Sequence, residues 1–320
     1  MICKLSIVNV DTLASFKIRN NNAMALVLLM AVLTVSILPA CGQRNNPQQQ
    51  ATEVIQQENR NDKKGEDVEI LNPGGQVLQT RINPPAGFQR IPCHENSFAA
   101  YLRQLPLKPH GAKVHYYNGG IKPDKNIYEA VADLEIGDKD LHQCADAVMR
   151  LRAEYLWDQK QYDRIHFNFT NGFRVDYSEW IKGKRIAVNG NTTRWVKRKE
   201  PSNTYDDLWN YLEVIFTYAG TLSLSKELKT VDFSNIKTGD VFIQGGSPGH
   251  AVIVVDMAQN PTSGEKLFLL AQSYMPAQDI QILKNPNNKT ISPWYSSNCD
   301  HKLITPEWTF TKADLKRFEE

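Results

Sequence analysis

Apolar and polar positions divide this chain into stretches that predict different elements. Met24 to Ala40 is an apolar run, and Gly42 to about Pro84 is polar, rich in Gln and Asn and short of aromatics. Beyond Gly87 or Phe88 the pattern becomes periodic. Ser97 is a capping residue for a short helix that Pro106 stops after Leu105. Ala130 to Leu134 is apolar enough for a strand or a short helix. After Asp140, an N-cap candidate, Leu141 to about Gln159 places Leu141, Cys144, Ala145, Val148, Met149, Leu151, Arg152, Tyr155 and Leu156 near one face at helical spacing. Alternation in 166–169 and 173–177 predicts strands around an Asn171-Gly172 turn. Tyr205 to about Ala219 reads as a helix ending at Gly220. Compact strands follow at 241–244, 250–257 and 266–273, separated by the turn residues 245–249 and 260–264. Helices followed by an antiparallel β-sheet predict an α+β fold.

The apolar run at the amino end is about 17 residues long, at the short limit for a bilayer span, and follows Lys17 and Arg19 with no acid after Asp11. That is the layout of a secretory signal. It closes on Leu38-Pro39-Ala40-Cys41-Gly42, which resembles the lipobox of bacterial lipoproteins. The resemblance implies removal of residues 1–40 and lipidation of Cys41 by diacylglycerol and an amide-linked acyl chain such as palmitate. Several acyl chains hold a protein on a membrane. The expected location is therefore the bacterial cell envelope, facing the periplasm or the cell surface. Residues 41–84 cannot bury enough apolar surface to offset their ordering entropy and are expected to be a flexible tether. Residues 85–320 are expected to form one domain. Met1 and Met24 both remain candidate starts.

Composition narrows the partners. The 320 residues carry 37 basic and 35 acidic side chains, a net charge of +2, which offers no bulk attraction for nucleic acid. With 41% hydrophobic residues the chain lies in the globular range. His94, His110, His115, His142 and His166 show no HExxH or CxxC spacing, so neither a metal nor another cofactor is expected. Cys93 and Cys299 lie near the two ends of the body, either as a disulfide or as two free thiols.

Cys144 is the candidate nucleophile, because a helix start lowers a thiol pKa through its unsatisfied amides. His250 begins an apolar strand directly after a glycine turn, in Gly239-Asp240-Val241-Phe242-Ile243-Gln244-Gly245-Gly246-Ser247-Pro248-Gly249-His250. This arrangement resembles the histidine region of papain-like amidases, notably the NlpC/P60 and CHAP families. The resemblance implies a papain-like fold with Cys144 as nucleophile and His250 as general base then acid. Gln272 or Ser273 would orient the imidazole. It also implies attack on an amide carbonyl, a thioester intermediate and release by water, with amides at the helix start in the oxyanion hole. Gln143-Cys144-Ala145-Asp146 stands where those families have Asp-Cys-Ser-Gly. The 106 residues from Cys144 to His250 also require a long insertion at about 162–228. A second reading therefore stays open, a catalytically inactive lipoprotein that binds a cell-wall fragment or a partner protein.

Over nearly the whole body, 97–107, 143–155, 248–256, 270–278 and 292–295 resemble a bacterial lipoprotein family catalogued as domain of unknown function 4846. Arg150, Arg152 and Glu154 on the Cys144 helix read either as substrate contacts or as solvated charges in helix ion pairs. Gln272 and Gln278 flank a turn that could line a cleft. Trp180, Trp195, Trp294 and Tyr295 read either as sugar-stacking platforms or as packing. The expected function is a membrane-tethered cysteine amidase or peptidase, a hydrolase acting on peptidoglycan peptides or similar amides. The oligomeric state is left open.

Overall fold

The apolar runs around His250 form the middle of one sheet. In this computed structural model, which describes residues 69–319, the elements before the cysteine are α1 (Leu78–Arg81), β1 (Gln89–Arg90), α2 (Phe98–Arg103) and β2 (Tyr128–Val131). Next come α3 (Cys144–Asp158), β3 (His166–Asn168), β4 (Arg174–Asp176), α4 (Tyr177–Ile181), β5 (Lys184–Asn189), β6 (Thr192–Lys197), α5 (Tyr205–Tyr218) and α6 (Thr221–Glu227). The remainder is almost all strand: β7 (Lys229–Thr230), β8 (Val241–Gln244), β9 (His250–Gln259), β10 (Lys266–Gln272), β11 (Gln281–Leu283), β12 (Tyr295–Ser296), β13 (Lys302–Ile304), β14 (Thr309–Thr311) and β15 (Leu315–Arg317). The leader, Cys41 and residues 41–68 of the expected tether lie outside the described residues, while its remainder is folded, with Leu78 and Ile82 buried in the core. Among the described residues no helix is long and apolar enough to cross a membrane.

Nine strands form one sheet in the order β2-β11-β10-β9-β8-β15-β7, with β1 added to β9 and β12 to β10. Its pairings are antiparallel. This overturns the papain-like expectation of helices followed by a sheet. β1 and β2 precede the Cys144 helix yet pair with β9 and β11, and the protein is mainly antiparallel β-sheet. A two-residue strand such as Gln89–Arg90 has no period to read, and Ala130-Val131 is too short an apolar run to separate strand from helix.

The sheet is covered on both faces, which is why its central strands read as continuous apolar runs. Val241, Ile243, Ala251, Ile253, Leu267 and Leu269 join one cluster with α3 and α5. Phe242, Val252, Val254, Phe268 and Leu270, the alternate positions, join a second with Phe233, Tyr295 and Phe310. A register shift between Leu269 and Leu270 marks a bulge at Val255, after which the phase of β9 changes so that Met257 reaches the second cluster. Helix α3 crosses the first face and is buried from Cys144 to Leu156. The segment expected as an insertion is not an outlying one, since its Ile165, Phe167, Tyr177, Tyr211 and Leu224 belong to the same cluster as α3.

Candidate functional site

Cys144 is the first residue of α3, three positions later than the hydrophobic pattern suggested. Asp140, expected as the cap, instead accepts Ala277 N–H (2.7 Å) and the Gln143 side-chain amide (3.0 Å). The first-turn Asp146 accepts Gln143 N–H at 3.0 Å. These bonds fix the helix start against the 274–278 turn. Ser273 adds to them, its Oγ lying 2.9 Å from the His142 carbonyl and 2.8 Å from the Gln278 carbonyl. Ser273 is therefore committed to the backbone and makes no hydrogen bond with His250.

His250 opens β9 and is 1% exposed. Its Nε2 lies 2.8 Å from Gln272 Oε1. Gln272 Nε2 donates to Glu307 Oε2 at 2.6 Å, which fixes the orientation of the amide and leaves Oε1 as the acceptor. His250 Nε2 thus carries the proton, and in the neutral ring Nδ1 keeps the lone pair. Lys122 Nζ donates to the same Glu307 oxygen at 2.7 Å. The rings of Tyr274 and Trp308 lie 4.8 and 5.4 Å from the imidazole, centroid to centroid. Trp308 is anchored by Nε1–H donation to Gln244 Oε1 at 2.9 Å.

Among the described residues no hydrogen bond joins the Cys144 thiol to the His250 imidazole. The amides of Ala145, Ala251 and Cys144 itself favour the charged form of the sulfur, and Ala251 is the residue that follows His250 in β9. Burial and then the nearby Asp146 outweigh those amides, and the thiol pKa is pushed up to about 11. The expected lowering at a helix start is thereby reversed, since desolvation of a thiolate costs more here than three amides return. Burial also holds His250 down to about 4, against the raising effects of Gln272 and Glu307. The resting pair at neutral pH is a thiol and a neutral imidazole.

Access is closed. Cys144 is 7% exposed, and cavities of about 560 and 640 Å³ lie elsewhere, around Phe233 and Lys312 and around Tyr295 and Leu303. Tyr274 covers His250 and lies close enough to Cys144 for the thiolate to raise its pKa. Replacing Tyr274 by alanine is expected to raise severalfold the rate at which iodoacetamide labels Cys144, read by mass spectrometry. An unchanged rate would show that Tyr274 does not cover the approach.

The other sequence candidates are structural. Arg150 is 2% exposed, pairs with Glu154 at 2.8 Å and donates to the Glu135 carbonyl at 2.5 Å. Glu154 also accepts the hydroxyls of Tyr101 and Tyr205. Arg152 packs over the rings of Phe98, Tyr155 and Phe318. None of the three is a solvated charge. Trp180, Trp294 and Tyr295 are buried in the core and form no sugar platform, while Trp195 is half-buried beside Phe173. Gln278 is buried and bonded to Pro276 and Gln281. Cys93 and Cys299 are both free thiols. Among the described residues no group of three or more His, Cys, Asp or Glu is placed to hold a metal.

Lys122, Glu307 and Trp308 were not singled out from the sequence. Lys122 and Glu307 are 185 residues apart and share no spacing rule, so only the fold brings them together. A family model described as Domain of unknown function (4846) matches residues 78–317. No curated protein and no solved structure matches the chain.

Proposed function

Since this chain belongs to the family described as Domain of unknown function (4846), its chemistry has to be read from its own residues, and we propose that it is a cysteine amidase acting on peptide-like amides. The observation that carries this reading is that the Ala251 amide, next to His250 in β9, favours the charged form of the Cys144 sulfur. The base would be the His250 imidazole, whose Nε2 is already committed to Gln272 and whose Nδ1 keeps its lone pair. As the sulfur attacks the carbonyl carbon, the thiol proton passes to His250, and backbone amides at the helix start face the developing oxyanion. The C–N bond then breaks, the amine leaves with the proton from His250, and a thioester remains. Water, deprotonated by His250, hydrolyses the thioester, and the S–H bond is restored.

The apolar run and Leu38-Pro39-Ala40-Cys41-Gly42 support a lipid-anchored location in the bacterial envelope. Peptidoglycan stem peptides are accordingly the first substrates to assay. Purified protein incubated with muropeptides is expected to release new amine and carboxylate ends, and the Cys144→Ala variant to release none. Equal turnover by that variant would defeat the amidase reading. The near-complete burial of Cys144 and His250 favours a second reading, a lipoprotein that binds such fragments without cleaving them. Binding without turnover would select it.

A further inference from the structure

The hairpin of β13 and β14 reaches the imidazole from a part of the chain distant from both sulfur and base. Its turn is tied by Thr305, whose N–H and hydroxyl both donate to the Trp308 carbonyl at 2.8 Å and whose Oγ1 accepts Trp308 N–H at 3.2 Å. The hairpin is fastened to the sheet by the Trp308 indole on Gln244 and by Asn287 Nδ2 donating to the Ile304 carbonyl at 2.8 Å. Between these fastenings sits Glu307, aimed at Gln272. Lys122 is held in place by its own backbone, its N–H donating to the Val114 carbonyl at 2.9 Å, and its ammonium lies over the Tyr274 ring. Imidazole, primary amide, carboxylate and ammonium thus form one chain of hydrogen bonds in which every donor and acceptor role is determined.

Resting on the reading of His250 as the base, the geometry points to Glu307 as its positioning residue. Glu307 acts through the Gln272 amide to lock the Nε2–H tautomer, and Lys122 sets how much of the carboxylate's charge reaches the ring. Without the carboxylate, no other hydrogen bond among the described residues holds the amide in one orientation. A flipped amide would offer N–H to the ring and move the base from Nδ1 to Nε2. The charged and titratable groups near His250 are Glu307, Lys122, Tyr274 and Cys144, and the first two act in opposite directions. Glu307 raises its pKa and Lys122 lowers it.

Nitrogen-15 NMR of the imidazole tests this, with His250 assigned by comparison with His250→Gln. The wild-type ring is expected in the Nε2–H tautomer at neutral pH. Glu307→Gln is expected to give a mixture of tautomers and to move the titration to lower pH. Glu307→Asp is expected to restore most of the single tautomer, and Lys122→Met to move the titration to higher pH. A purely structural role would not produce opposite shifts from the two partners of one ion pair.

Identical tautomer and titration in Glu307→Gln overturn the inference, and so do shifts of the same sign in Glu307→Gln and Lys122→Met. If Glu307→Gln does not fold, Lys122→Met decides alone, and a downward shift or none overturns it. The readout is independent of turnover. If Cys144-dependent hydrolysis is absent but the tautomer depends on Glu307, the amidase reading falls and the positioning role stands.

Discussion

Replacing Asp256 by alanine is expected to destabilise the protein by about 3–5 kcal/mol, the cost of breaking a buried ion pair and leaving its partner charge uncompensated. The carboxylate is fully buried in β9, with Arg103 Nε on one oxygen and Arg90 Nε on the other, each at 2.6 Å. Met257 N–H donates to it as well, at 2.8 Å. Arg103 is 7% exposed, and its remaining bonds go to the Ile91 and Met257 carbonyls and to Cys93 Sγ, none of which supplies a countercharge. Removing Asp256 therefore strands a cation between α2, β1 and the centre of the sheet. Lys113 and Asp124 make an equally short pair of 2.6 Å, but both side chains are 49% exposed. Breaking that pair is expected to cost far less, because solvent screens both charges. Urea denaturation of both variants makes the comparison, and equal losses would show that burial is not what gives Asp256 its weight.

The second large effect is on chemistry. On the amidase reading, His250→Ala is expected to lower kcat/KM by about 10²–10⁴-fold, the range for losing a general acid and base. Gln272→Ala should lose less, because the base remains and only its orientation is freed. The pH profile follows from the two shifted groups. The imidazole becomes a cation below about pH 4, and the thiol loses its proton only near 11. Wild-type kcat/KM is thus expected to be flat through neutral pH and to fall as acid protonates His250. Loss of activity on going from pH 7 to 6 would contradict the buried, neutral imidazole. A His250→Ala variant within twofold of wild type would remove His250 from the mechanism.

How far the sequence showed this site depends on the distance over which its signals act. Cys144 and His250 stand out in the sequence because each lies near the start of an element: turn chemistry precedes the helix, and Gly245 to Gly249 precede the strand. The choice between Gln272 and Ser273 was not legible. Adjacent positions at a strand end point to opposite sides, and nothing local says which side holds the imidazole. Helix α5 followed its period and its Thr204–Asp207 capping box closely. The short pairings of β1, β2 and β15 left no pattern, because two to four residues cannot display a period. The pKa of Cys144 was misjudged for a related reason. The helix start is a local feature, whereas the burial that reverses its effect comes from strands and turns more than 100 residues further along the chain.

Strand β15 enters the sheet between β8 and β7, pairing Leu315 with Phe242 and Lys316 with Thr230. The flank beside the His250 strand is thus closed by residues 315–317, and the indole of Trp294 reaches back 211 positions to the Asn83 carbonyl. Such long loops must be closed before their contacts stabilise anything, which slows folding. A chain made only as far as β12 would carry β8 as a bare edge, able to pair with another chain. It would also lack Glu307 and Trp308, so the surroundings of the imidazole are completed only when the hairpin and the strand that follows it arrive.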